Sequence, residues 1–236
     1  ISVTIWTFAF AFLSVATTFG LGIFLALVFN DRRMRGRNFY RIILILPYAF
    51  PAFLSALVWA GLLNPQFGFV NQVLFGGAEI PWLTDEWLAK FSVIFVNLWL
   101  GFPYMFLVCT GALQSIPEEL QEAARVDGAR PWQVFRLIKF PLLLVSVAPL
   151  LISSFAFNFN NFNLIYMLTN GGPRDVEAGV NVGATDILIS MVYKVAFVGA
   201  SRDYGLASAF SIIIFLLVAI ISIISFRQTK ALEELN

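Results

Sequence analysis

Ile1 to Phe29 runs for a full helix length without one charged residue, and the same happens four more times along the chain. Ile42 to Leu63, Phe91 to Leu113, Pro141 to Leu168 and Leu206 to Phe226 are likewise free of Lys, Arg, Asp and Glu. A helix needs roughly 20 consecutive apolar residues to cross a bilayer, whereas a long helix of a soluble protein keeps a polar face. The five runs predict an all-α membrane protein with about five transmembrane helices. Of the 236 residues only 12% are charged and 59% are hydrophobic, with a mean hydropathy of +0.83. Soluble domains carry about 25% charged residues, so the surplus apolar surface must face lipid. The chain opens on Ile1 inside an apolar stretch, and reads as a fragment with residues missing upstream, with one domain over residues 1–236.

The polar connections set the orientation. Arg32, Arg33, Arg35, Arg37, Arg41, Arg125, Arg130, Arg136, Lys139, Arg227 and Lys230 fall on one side; Lys90, Arg174, Lys194 and Arg202 fall on the other. Cytoplasmic loops are the Lys- and Arg-rich ones. The amino end is therefore expected outside and the carboxyl end in the cytoplasm. Trp82 and Trp87 in the outer connection suit an interfacial belt. The apolar stretch Ile187 to Phe197 is interrupted by Lys194 and is too short to span, so a packed or interfacial helix is expected there.

Several functions are excluded outright. With no His, the chain has no imidazole base, His-containing metal site or histidine pH switch. The single Cys109 cannot form an internal disulfide and suits a packing role. A net charge of +1 argues against nucleic acid. No span carries a Lys, Arg, Asp or Glu near its middle, which weighs against a proton- or ion-coupled carrier.

What the spans do carry is amide and aromatic side chains. Phe155 to Asn163 holds four Asn and four Phe. Asn offers both donor and acceptor, and an aromatic ring offers an apolar face, which together match the hydroxyl edges and CH faces of a sugar. At about 100° per residue, Phe157, Asn158 and Asn161 share one arc of a helix. Asn97, Leu100, Gly101 and Tyr104 share another in the third apolar run. Asn160 and Asn163 fall off the first arc and suit packing. The same amides could instead cross-link helices. Pro47, Pro51, Pro103 and Pro149 either open a cavity or only kink their helices.

The connection at about 114–140 reads as two short helices. The stretch from Glu118 up to Gly128 is helix-forming, Gly128 can end that helix in the left-handed conformation, and Pro131 can open a second helix to Lys139. Glu122-Ala123-Ala124, then Gly128, then Ile138-Lys139-Phe140-Pro141 resembles the EAA loop of bacterial binding-protein-dependent ABC importer permeases; the family's Leu before the last Pro is Phe140 here. Within that family, Arg41 to Tyr48, Asn97 to Tyr104 and Ser154 to Phe162 look like the larger maltose/maltodextrin permease subunits, with a resemblance running from about Ala11 onward, while Thr169-Asn170-Gly171-Gly172-Pro173 resembles a stretch widely shared among sugar permeases.

The resemblance implies a type I ABC importer permease core in the bacterial inner membrane. It implies Asn97, Leu100, Gly101, Tyr104, Phe157, Asn158 and Asn161 as sugar contacts, the positions that helix geometry also groups. Glu122, Ala123, Ala124 and Gly128 would couple to the ATPase. The implied partners are a second homologous permease, an ATP-binding cassette dimer and a periplasmic maltose-binding protein. ATP and Mg would be bound by the cassette, since this chain has no GxxxxGK[ST] loop; it would be non-catalytic and hold no cofactor. The alternatives are a permease for another oligosaccharide on the same fold, a secondary carrier or channel, and a membrane scaffold.

Overall fold

A computed structural model describes residues 2–30, 35–174, 182–198 and 202–233, with side chains described as far as residue 228. Ile1, Asp31, Arg32, Arg33, Gly199 and the side chain of Lys230 lie outside the described residues. The described structure is helical throughout its regular elements. α1 covers Ser2–Phe29, α4 Glu86–Ser115 and α10 Tyr204–Glu233, each long and apolar enough to cross a membrane. A fourth such helix runs from Pro131 to Phe159: α6 (Pro131–Val134) passes through a π turn at Phe135–Lys139 into α7 (Phe140–Phe159). The expected separate helix ending at Lys139 is thus the first turns of a span. α2 (Arg37–Ala49) and α3 (Ala52–Leu62) make the fifth, but they are bent by 91°.

Two of the expected spans are broken. Ile42 to Leu63 is not one straight helix, because Pro51 forces the residue before it out of the α region. Phe50 accordingly sits at φ −90°, ψ 144°. Pro47, Pro103 and Pro149, by contrast, lie inside continuous helices. Pro141 to Leu168 breaks at Asn160 and Asn161, after which α8 (Phe162–Leu168) begins. Asn side chains compete with the helix for backbone partners: Asn160 Nδ2 donates to the Ala156 carbonyl at 3.3 Å, and the Asn161 amide oxygen accepts from the Leu164 N–H at 3.4 Å, capping α8.

α1 and α4 form the centre and pack most extensively on one another, with α7 against both. Gly22 permits the closest approach: a Cβ there would stand 2.7 Å from that of Met105. Two apolar clusters lie along this pair. One gathers Phe10, Val93, Val96, Leu164, Ile165 and Ile187; the other gathers Ile23, Phe106, Cys109, Leu113, Leu143 and Val147. α10 turns Ile212, Phe215, Ile220 and Ile223 outward, as a helix facing lipid or another apolar chain must.

The connection from α3 to α4 is built on one buried amide. Asn71 Nδ2 donates to the Pro65 and Ile80 carbonyls at 3.0 Å each, and its oxygen accepts from Trp82 Nε1 at 2.7 Å. Trp82 therefore packs into the fold, whereas Trp87 is exposed and suits the interfacial role expected of both. The stretch after Gly183 forms α9 (Leu188–Tyr193) and a π turn at Lys194–Val198, packed against α1, α8 and α10. Within it Lys194 and Asp186 make a fully buried ion pair. Lys194 Nζ also donates to the Asn170 carbonyl at 2.9 Å, and Asp186 accepts from the Gly183 N–H at 2.7 Å and from Ser190 Oγ at 2.8 Å.

Candidate functional site

Between the two central clusters, where Val96 gives way to Phe106 along α4, the helices leave a cavity of about 590 Å³. Asn97, Leu100, Gly101 and Tyr104 reach it from α4, and Phe157, Asn158 and Asn161 from the end of α7. All seven residues grouped by helical spacing thus line one space. None of its lining residues carries a charge.

The three asparagines are joined to each other. Asn97 Nδ2 donates to Asn158 Oδ1 at 2.9 Å, Asn161 Nδ2 donates to Asn97 Oδ1 at 3.3 Å, and Asn158 Nδ2 donates to the Ser154 carbonyl at 2.8 Å. Asn97 and Asn158 are both buried. They cross-link α4 to α7 and border the cavity at once. Each amide NH₂ carries two donors, and each of the three uses one of them in these bonds. Phe157 is 68% exposed and presents its ring. The ring of Tyr104 stacks on that of Tyr48, with centroids 6.3 Å apart and planes at 25°. Gly101 serves helix approach: a Cβ there would lie 2.9 Å from Thr18 Cγ2 on α1.

Sequence reasoning missed part of the lining. Thr18 comes from α1, Tyr48 and Phe50 from beside the α2–α3 break, and Ser154 from one turn before Asn158. The i−4 spacing of Ser154 was readable. Asn163, expected to face away, lines the cavity too, because the break at Asn160 and Asn161 resets the helical phase.

The second cluster of expected residues lies at the other end of α4. α5 spans Glu118–Val126 and stops in a Schellman arrangement. The Gly128 N–H donates to the Arg125 carbonyl at 3.0 Å and the Ala129 N–H to the Ala124 carbonyl at 2.9 Å, with Gly128 at φ +82°. Pro131 then opens α6, where the Gln133 amide oxygen accepts from the Arg130 N–H at 2.8 Å. None of the nine residues of α5 is buried. Leu120, Ala123 and Val126 are exposed, Val126 to 88%, and Trp132 is exposed nearby. Glu118, Gln121, Glu122 and Arg125 border a cavity shared with the ends of α1 and α4. Glu122 is also exposed and, four residues before Val126, lies on the same side of the helix.

A bundle of broken and unbroken spans around an uncharged cavity, with a short exposed helix pair beside it, defines a membrane transport component. Over residues 18–234 the chain matches the family of binding-protein-dependent transport system inner membrane components, and it belongs to that family. It is 46% identical over 99% of its length to the maltose/maltodextrin transport system permease protein MalF of Vibrio parahaemolyticus serotype O3:K6. It is 45% identical over 98% of its length to the protein of that name from Photorhabdus laumondii subsp. laumondii. The chain spans about 45% of the length of these relatives. Among solved structures it is similar to a bacterial ABC transporter involved in the import of the acidic polysaccharide alginate, with a TM-score of 0.83 and 26% identity over 98% of this chain and 79% of that one. It shares its fold with the MetNI methionine ABC transporter, at a TM-score of 0.62 and 20% identity over 96% of this chain and 93% of that one.

Proposed function

We propose that this chain is the part of a maltose/maltodextrin permease subunit that forms half of the translocation pathway of an ATP-driven importer. The observation that carries this reading is the cavity: seven residues grouped by spacing meet around one uncharged space of sugar-sized volume. Relatives named as maltose/maltodextrin permeases support the choice of sugar. An acidic polysaccharide, the cargo of the alginate relative, would call for cations, and the lining has none. The chain acts as one non-catalytic permease domain. It works beside a second homologous permease, a cassette dimer that binds ATP and Mg, and a periplasmic maltose-binding protein. The outward apolar face of α5 and Trp132 is the surface that meets the cassette, with Gly128 setting its angle. Glu122, one turn before Val126 and exposed like it, adds a polar contact to the cassette.

Tyr104→Ala and Asn158→Ala in the full-length subunit should each reduce maltose uptake at least about tenfold, since a lost hydrogen bond is compounded by the buried partner left unpaired. Asn163→Ala, exposed at the cavity edge and outside the amide chain, should reduce uptake less. Uptake of radiolabelled maltose in cells checks this, with co-purification of the partner subunits as the control for assembly. Unchanged uptake in Tyr104→Ala and Asn158→Ala would remove the cavity from the pathway.

The cytoplasmic carboxyl end follows from the basic residues and has its own test. With Cys109 replaced, Ala78→Cys should react with an impermeant thiol reagent added to intact cells, and Glu119→Cys should react only after lysis. Both positions are exposed. The opposite pattern would invert the topology.

A further inference from the structure

The connection between α3 and α4 carries no charge from Asn64 to Ala78, and it holds Phe67, Phe69, Val73, Leu74 and Phe75. All five are exposed, with Phe69, Val73 and Leu74 at 53%, 60% and 66%. We propose that this connection is an interfacial anchor, which lies on the bilayer surface and sinks Phe69, Val73 and Leu74 between the lipids of the leaflet at that end of the spans.

Chain connectivity sets its location. α3 ends at Leu62 and α4 starts at Glu86, so the segment between them leaves one span and enters the next at the same membrane surface. Its middle is a π turn at Val70–Leu74, and the turn presents three different sides. Val70 packs on the apolar cluster that α1, α3, α4 and α8 share, and Asn71 beside it is fully buried. Gln72 is polar and exposed. Phe69, Val73 and Leu74 come together on the third side, because a turn bonded from i to i+5 stacks residues four and five apart. The turn cannot roll to hide them, since Asn71 is bonded to the Pro65 and Ile80 carbonyls and to Trp82. Its backbone asks little of water. The Gln72 N–H donates to the Gly68 carbonyl at 3.0 Å, the Phe75 N–H to the Val70 carbonyl at 3.2 Å and the Gly77 N–H to the Asn71 carbonyl at 2.8 Å. A segment bonded in this way tolerates shallow burial.

The chemistry of the patch selects lipid. Clustered large apolar side chains on a surface mark a place that apolar matter covers. A protein partner meets a patch that is rimmed by polar groups, whereas this run has no charge to place around its edge. The boundary between headgroups and acyl chains asks only for apolar side chains, about 5–10 Å deep. Trp87, also exposed, stands at the start of α4, where an indole favours the membrane–water interface. The anchored end belongs to α3, which has 11 residues and is too short to cross a bilayer alone. Held at the lipid surface beyond the 91° bend, α3 keeps Ala52 in the cavity wall. The inference holds whichever sugar the importer carries and whichever face of the membrane this end meets.

The test uses the full-length subunit in its assembled complex, reconstituted into vesicles of phosphatidylcholine and phosphatidylglycerol, with the native cysteines replaced. A nitroxide on Val73→Cys or Leu74→Cys should collide more often with oxygen, which concentrates in lipid, than with a water-soluble nickel chelate. On Gln72→Cys and Glu79→Cys the order should reverse. Either reagent dominating at all four positions overturns the proposal. So does shielding of Val73→Cys and Leu74→Cys from both reagents, in the bare complex or once a periplasmic binding protein is added, because protein then covers the patch. The complex without substitutions gives a second reading. A phosphatidylcholine with a diazirine at the glycerol end of one acyl chain should leave adducts on residues 67–75, and their absence there beside labelled spans equally overturns it.

Discussion

Lys194→Met should destabilise the segment around α9 by about 3–5 kcal/mol, the range for removing one partner of a buried ion pair. The size follows from what is left behind. Asp186 is 1% exposed, and although Ser190 and the Gly183 N–H still bond to it, its ion-pair partner is gone. Burial pulls the Lys194 ammonium below the usual lysine range, and Asp186 opposes that pull. The pair also fixes the loop opposite it: a Cβ at Gly171 would overlap both the Asp186 carboxylate and the Lys194 ammonium, and Gly171 itself sits at φ +75°. The melting midpoint of the detergent-solubilised complex measures the loss. The double variant Lys194→Met/Asp186→Leu should recover much of it, because an apolar pair leaves no charge uncompensated. A single variant as stable as the native chain would show that the pair contributes nothing to holding α9.

Gly128→Val should abolish transport while leaving the spans and the sugar cavity intact. A Cβ at this position meets nothing within 4 Å, so space is not the issue; the backbone at φ +82° is. A β-branched residue forced into that region costs on the order of 1–3 kcal/mol. That is too little to unfold the bundle, but α5 has nine residues and no buried side chain to resist a change at its end. It swings, and its exposed residues Leu120 and Ala123 no longer present at the angle that the proposed docking to a cassette requires. Gly128→Asn, a residue that tolerates the left-handed conformation, should keep most activity. Recovery of the ATPase on tagged subunit, alongside uptake, decides the matter. Normal recovery and uptake in Gly128→Val would take the loop out of coupling.

Much of this architecture was legible in the chain because a bilayer penalises charge so heavily. Five charge-free runs gave the long helices, and an unconstrained glycine before Pro131 gave the end of α5. What the sequence did not show is which prolines break a helix. Pro47, Pro51, Pro103 and Pro149 all stand in apolar runs, yet only Pro51 separates two helices, since the others find neighbours that tolerate the missing N–H. The site was legible on α4, where one unbroken helix keeps its phase from Asn97 to Tyr104. It was less so on α7, where the break after Phe159 moved Asn163 to the cavity. The bonds between Asn97, Asn158 and Asn161 were beyond reach, because spacing fixes the face of one helix and not its rotation against another.

The two helix breaks carry a consequence for water. Wherever a helix stops, its last carbonyls and the next helix's first N–H groups lose their partners, and in hydrocarbon each such group costs several kcal/mol. The α2–α3 break at Phe50 and Pro51 and the α7–α8 break at Asn160 and Asn161 adjoin the same cavity. Some of those groups are met within the chain, as the Leu164 N–H is by Asn161, and the remainder call for water in the space between them. On the proposed function, a sugar moving in would exchange its own hydration shell for backbone and amide partners while displacing such waters. The passage would then be close to a like-for-like exchange of hydrogen bonds, which would let a strongly hydrated molecule cross the low-dielectric layer without ever being stripped bare.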